Sequence, residues 1–165
     1  MSALIGEPVD AVSMIGAGIA MWRSTGATAS MPFFQSYLAK AHAMLGQFDE
    51  AQNHIDQAVA TIESTGERVW GAEVHRLSGE VALLSPRAEA TLARTHFEYA
   101  LAVARQQHAK SWKLRAAMSL ARLWRDQGKV NEARELLAPV YGWFTEGFDT
   151  RDLKEAKALL EELAA

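Results

Sequence analysis

Five histidines, His42, His54, His75, His96 and His108, are the side chains best suited to hold a metal or to move a proton near neutral pH. Zinc on a helix needs two imidazoles four residues apart, as in HExxH, so that both point from one face. The nearest approach is His75 with Glu73 or Glu80, and neither carboxylate stands four residues away. Surface or half-buried imidazoles are therefore expected, with no metal site. Gly16, Ala17 and Gly18 invite comparison with a phosphate loop, which must follow a strand and open a helix so that its N–H groups reach the phosphates. Here the glycines fall in the middle of a helical pattern, and helix packing is their expected role. No GxxxxGK[ST] and no nucleophile elbow occur. Nothing in the chain points to a catalytic, cofactor-binding or metal-binding residue, and no enzymatic activity is expected. The tryptophans Trp22, Trp70, Trp112, Trp124 and Trp143 could stack on bases only beside a basic groove. Trp70 and Trp112 recur 42 residues apart, which favours packing between repeated units.

The elements that must position any site follow from bulk and pattern. A chain of 165 residues with 49% hydrophobic and 22% charged residues fits one domain with a sizeable core. A net charge of −3 gives no reason to expect nucleic acid as a partner. Cysteine is absent, no stretch approaches the ~20 apolar residues of a membrane span, and MSALIGEPVD lacks the pattern of a secretory signal. A cytoplasmic location with no membrane partner is expected.

An internal repeat organises the chain. Gly6, Asp10, Ala11, Ile15, Gly18 and Ser24-Thr25-Gly26 align with Gly46, Glu50, Ala51, Ile55, Ala58 and Ser64-Thr65-Gly66. A third copy carries Ala93, Phe97 and Ala100, and a fourth carries Ala133, Leu137 and Val140. The first small residue of each copy recurs after 40, 42 and 40 residues. Positions i, i+4 and i+7 share one helix face, where small side chains let a neighbouring helix approach and the large one fills the space between. Each later copy is preceded by another helical stripe: Phe34, Leu38, Ala41; then Trp70, Val74, Leu77, Val81; then Leu114, Ala117, Met118, Ala121. The unit is helix, turn, helix. Eight helices are expected near 8–25, 31–45, 48–65, 68–84, 87–107, 111–127, 130–144 and 150–164, with no strand. Ser30 and Ser85, each close before a proline, read as N-caps; Asp149 with Asp152 reads as the opening of the last helix; and Pro139 predicts a kink in the seventh.

Gly46, Phe48, Asp49, Glu50, Ala51, Ile55 and Ala58, with Gly128, Val130, Asn131, Glu132, Ala133 and Leu137, resemble the second half of the tetratricopeptide repeat (TPR). Ala39, Gly79 and Ala121 match that family's small residue on the first helix. The resemblance implies an all-α, right-handed superhelix of antiparallel helices spanning 1–165 as a single domain. Its parts are an orphan second helix at 8–25, repeats at about 31–65, 68–107 and 111–144, and a capping helix at 150–164. The period exceeds the usual ~34 residues by more than a turn of helix, and the proline that often closes the repeat is missing. Residues 110–163 further resemble the C-terminal repeat region of bacterial signalling proteins in which a nucleotide-cyclase or DNA-binding domain and an ATPase module precede the repeats.

In this family the first helices line an inner groove that binds protein or peptide. Carried onto this chain, the groove residues are Phe33, Ser36 and Lys40; Glu73, Arg76 and Glu80; and Arg115, Met118, Arg122 and Arg125. Arg115, Arg122 and Arg125 place three guanidiniums on one face, suited to carboxylates of an acidic partner. The alternative is a solvated basic face partly neutralised by Glu132, Glu135 or the terminal helix. Lys40 and Glu80 stand where the family's chaperone-tail clamp would want asparagines, so chaperone binding is not expected. The helix at 8–25 has no first-helix partner after Met1. Either a longer protein supplies one, or self-association through residues 8–25 covers the face and makes a homo-oligomer.

Overall fold

The computed structural model describes residues 7–87 and 89–165. Among these residues eight α-helices follow one another: α1 (Pro8–Ser24), α2 (Met31–Met44), α3 (Phe48–Thr65), α4 (Gly71–Leu84), α5 (Ala90–Gln106), α6 (Lys110–Asp126), α7 (Val130–Tyr141) and α8 (Arg151–Glu162). A 3₁₀ turn, Arg68–Trp70, leads into α4. No strand occurs among the described residues. Helices α2 and α3, α4 and α5, and α6 and α7 pack as hairpins. The first helices also pack on one another in the order α2, α4, α6, α8, which makes an inner layer, while α1, α3, α5 and α7 form an outer one.

The repeated small residues set this spacing. Ala11, Ala51, Ala93 and Ala133 are all fully buried, as are Phe97 and Leu137 at the large positions of the third and fourth copies. Ala51 and Ile55 of α3 join Ala39 and Ala43 of α2 and Val81 of α4 in one cluster, so α3 is wedged between two first helices. Among the described glycines the tightest approach is at Gly79 of α4. A Cβ there would stand 2.5 Å from Cε1 of Phe97 and 3.0 Å from the carbonyl oxygen of Ala93. Only glycine allows the buried Phe97 ring to lie across α4.

Local signals are obeyed less uniformly. Gly46 and Gly128 end their helices at φ +76° and +78°, where an L side chain would be strained. Ser30, expected as an N-cap, makes no side-chain cap bond. It adopts φ 63°, and its N–H donates to Oε1 of Glu67 at 2.9 Å, so a tertiary partner replaces the local one. Ser85 ends α4 instead of opening α5. Pro86 disfavours helical ψ at the preceding residue, Ser85 sits at ψ 151°, and α5 starts only at Ala90. At α8 the flanking residue is Thr150, with no side-chain cap bond, in place of an Asp149 cap. Helix α7 stops at Tyr141, in the turn that Pro139 deprives of an N–H, short of the expected 144. Gly18, expected to pack against a helix as Ala58 does, meets no neighbour among the described residues.

Opposite outcomes are expected for one substitution at two helical glycines. Gly79→Ala gains about 1 kcal/mol of helix propensity but costs about 1–3 kcal/mol by overpacking against Phe97, and so lowers stability. Gly18→Ala in α1 keeps only the gain. Urea unfolding midpoints of the two variants should move in opposite directions.

Candidate functional site

The inner layer turns one face of α2, α4, α6 and α8 towards a cavity of about 250 Å³. Tyr37 and Lys40 come from α2, Arg76 and Glu80 from α4, Arg115, Met118 and Arg122 from α6, and Arg151, Asp152 and Glu155 from α8. Spacing by three or four residues keeps the α2, α4 and α6 sets each on one side of their helix.

Glu73 lies beneath the cavity, fully buried. Arg76 approaches it with two nitrogens, Nε to Oε2 at 2.7 Å and Nη2 to Oε1 at 2.8 Å. The Tyr37 hydroxyl donates to Oε1 at 2.7 Å, and Nη1 of Arg115 lies 2.8 Å from the same oxygen. Nη1 of Arg76 also donates to Glu80, whose other oxygen receives Lys40 Nζ at 2.5 Å. Two carboxylates thus tie three helices together through four charged or hydroxyl donors. Burial alone would raise the pKa of Glu73, but the hydrogen bond and charge of Arg76, with Arg115, outweigh it and hold the carboxyl below its usual range. Glu80 is lowered likewise, against burial, by Arg76 and Lys40. Burial would lower Arg76, yet its hydrogen bonds with Glu73 and the charge of Glu80 push it up. Burial and the neighbouring Glu73 push the Tyr37 hydroxyl up to about 12. These shifts favour the charged forms of Glu73, Glu80 and Arg76 and the neutral form of Tyr37.

The arginine row on α6 faces α8. Arg115 Nε lies 3.6 Å from Oδ2 of Asp152, Arg122 Nη2 3.1 Å from Oε2 of Glu155, and Arg125 Nη1 2.6 Å from Oε2 of Glu162. Arg151 shares Glu155 at 2.6 Å. Of the neutralising partners expected for this row, the terminal helix supplies them.

The ten residues expected to form the groove all lie on α2, α4 and α6, in differing surroundings. Lys40, Arg76, Glu80, Arg115, Met118 and Arg122 border the cavity, and Glu73 underlies it. Ser36 is buried, donating to the Phe33 carbonyl at 2.8 Å. Arg125 sits at the far end, on Glu162 and Asp126. Phe33 belongs to an aromatic cluster, its ring 4.6 Å from Trp70, 4.8 Å from Tyr37 and 6.5 Å from Trp112. Trp70 and Trp112 meet edge-on at 6.1 Å, so these recurring tryptophans do pack between repeats. Tyr37 escaped the sequence reading although it lies four residues from Phe33 and three from Lys40. The α8 residues escaped because only the fold shows that helix taking the next inner place.

The histidines pair away from this face. His42 stacks on His54 at 5.3 Å, and His75 on His96 at 5.8 Å. Among the described residues no group of three or more His, Asp or Glu could hold a metal ion. No described helix is long and apolar enough to cross a membrane.

The chain matches no family model and no curated protein. Its fold does have solved counterparts. The crystal structure of TPR-like repeats assigned to a kinesin light chain of Podosopora anserina superposes with a TM-score of 0.65 at 20% identity, over 98% of this chain and 80% of the other. A point variant of those repeats gives 0.63 at 21% identity, over 99% and 88%. At this identity the likeness establishes the fold: an all-α, TPR-like array of helical hairpins.

Removing the buried carboxylate should cost far more than removing an exposed one. Glu73→Ala leaves Arg76 and Arg115 short of a partner and is expected to lose about 3–5 kcal/mol. Glu162→Ala breaks a mostly solvated pair with Arg125 and should lose no more than about 1 kcal/mol. Guanidinium unfolding of both variants provides the comparison.

Proposed function

We propose that the chain is a protein- or peptide-binding scaffold whose inner face receives a carboxylate-bearing segment of its partner. The observation behind this reading is the charge around the inner cavity. Lys40, Arg76, Arg115, Arg122 and Arg151 border it, against Glu80, Asp152 and Glu155 there and Glu73 beneath, which leaves one positive charge in excess. These groups are already held in place, so an incoming carboxylate finds oriented donors and little side-chain entropy remains to be lost. Guanidiniums in such a frame favour bidentate pairing. The resemblance of residues 110–163 to the repeat region of bacterial signalling proteins supports a regulatory interaction module of that kind as the setting.

Arg122 is the informative residue because it is partly exposed, lines the cavity and shares Glu155 with Arg151. With a fluorescein-labelled glutamate-rich peptide as probe, Arg122→Ala together with Arg125→Ala should weaken binding by about tenfold or more without lowering the melting temperature appreciably. Glu155→Gln should strengthen it, because two guanidiniums lose their internal competitor. Binding indifferent to all three changes would exclude the inner face as the recognition surface.

A second reading, self-association through α1, rests on a separate observation. Met14 and Met21 are 63% and 71% exposed, Val9 and Trp22 are exposed beside them, and a Cβ added at Gly16 or Gly18 would meet open space. An apolar helix covered on one side only is a candidate contact between copies. Sedimentation equilibrium should then show a mass rising with concentration, reduced to the monomer by Met14→Lys with Met21→Lys. A constant monomer mass in the unaltered chain would rule this reading out.

A further inference from the structure

On the outer side of the array, α3 and α5 flank α4 and leave a groove of about 500 Å³ between them. Val81 and Ala82 of α4 form its floor, Ile55 and Val59 one wall, and Leu92 of α5, still 43% exposed, the other. Along the rim stand Asp56, Glu63 and Glu89, all exposed. No lysine or arginine lines the groove, and none of the three carboxylates has a cationic partner among the described residues. His75 and His96 add no compensating charge near neutral pH. Burial and the neighbouring His96 hold His75 down to about 4, and burial lowers His96.

The contrast within the molecule gives this weight. On the inner face, Glu73, Glu80, Asp152 and Glu155 each have a basic partner. The neighbouring cavity, where α5 faces the turn into α7, is lined by Arg94, Glu98 and Lys129 with threonines, and Arg94 pairs with Glu98 at 2.8 Å. An apolar trough edged by acids without cationic partners therefore distinguishes the α3–α5 groove from this neighbouring cavity.

The groove also limits the form of its occupant. Along α3 it runs from Phe48 to Glu63, about four turns of helix. Its walls are helices whose backbone groups are already bonded within themselves, so a bound extended strand would find no main-chain partners. A helix satisfies its own backbone and can lay its side-chain ridge into the space between two others.

We propose that the α3–α5 groove docks an amphipathic helix of a partner protein, apolar along one stripe and carrying lysine or arginine on both flanks. This surface lies opposite the inner cavity and stands independently of the carboxylate-binding reading.

The probe is a synthetic helical peptide of about four turns with leucines at i, i+3, i+4 and i+7 and lysines on both flanks, paired with a counterpart whose lysines are glutamates. The lysine peptide should bind by fluorescence anisotropy, more weakly as salt rises, and shift amide resonances of α3 and α5. Asp56→Lys with Glu63→Lys should weaken it by about tenfold or more and reverse the preference between the two peptides. Leu92→Glu should weaken both peptides; all three sites are at the surface, so the fold is retained. Equal binding of the two peptides, absence of binding at millimolar peptide, or resonance shifts confined to the inner face or α1 would overturn the proposal. So would a fall in the mass of the protein alone on Leu92→Glu, which would make a second copy the occupant.

Discussion

The carboxylate of Glu73 touches three inner helices at once: Tyr37 of α2, Arg76 of its own α4 and Arg115 of α6. A buried carboxylate without such partners would cost several kcal/mol in desolvation or take up a proton. Helices α2, α4 and α6 must therefore keep the register that brings those donors to one point. The same register carries Glu80 between Arg76 and Lys40 and places Arg122 opposite Glu155. The order of the inner face is a consequence of accommodating one charge in the interior.

Such convergence needs helices that approach closely. Ala39, Gly79 and Ala121 on the first helices, with Ala51, Ala93 and Ala133 on the second, provide the approach, and the large residues between them fill what is left. The two layers then diverge in character. Inner carboxylates have basic partners, whereas Asp56, Glu63 and Glu89 have none among the described residues. The inner cavity is slightly basic and the outer groove acidic with an apolar floor, so the two surfaces are chemically opposite.

Much of this was legible in the residues. The recurrence of Ala11, Ala51, Ala93 and Ala133 locates the second helices, and all four are buried. Assigning the outward positions of the first helices to one face brings Lys40, Glu80, Arg76, Arg115 and Arg122 together, because helical periodicity is a local property. What escaped depends on contacts between distant segments. Glu67 takes the N–H of Ser30 across 37 residues, which no capping rule foresees. Asp152 and Glu155 reach the arginines only because α8 occupies the next inner place. Gly18 repeats the spacing of Ala58, yet a Cβ there would meet no neighbour among the described residues. The outer groove follows from the separation of α3 and α5 above α4, a distance that a repeat period does not encode.

The ionisation of Glu73 is the most direct test. A carboxyl whose folded pKa is depressed contributes stability that is present above the unfolded value and is lost as pH falls through the folded one. Carbon-13 NMR of the Glu73 side-chain carboxyl, followed from neutral pH into acid, is predicted to show it still charged at the ordinary glutamate value of 4.5, protonating only below it as the protein loses stability. A carboxyl that titrates at 4.5 or above while the helices stay folded would contradict the account, since the inner face would then be assembled without the ion pairs said to hold it.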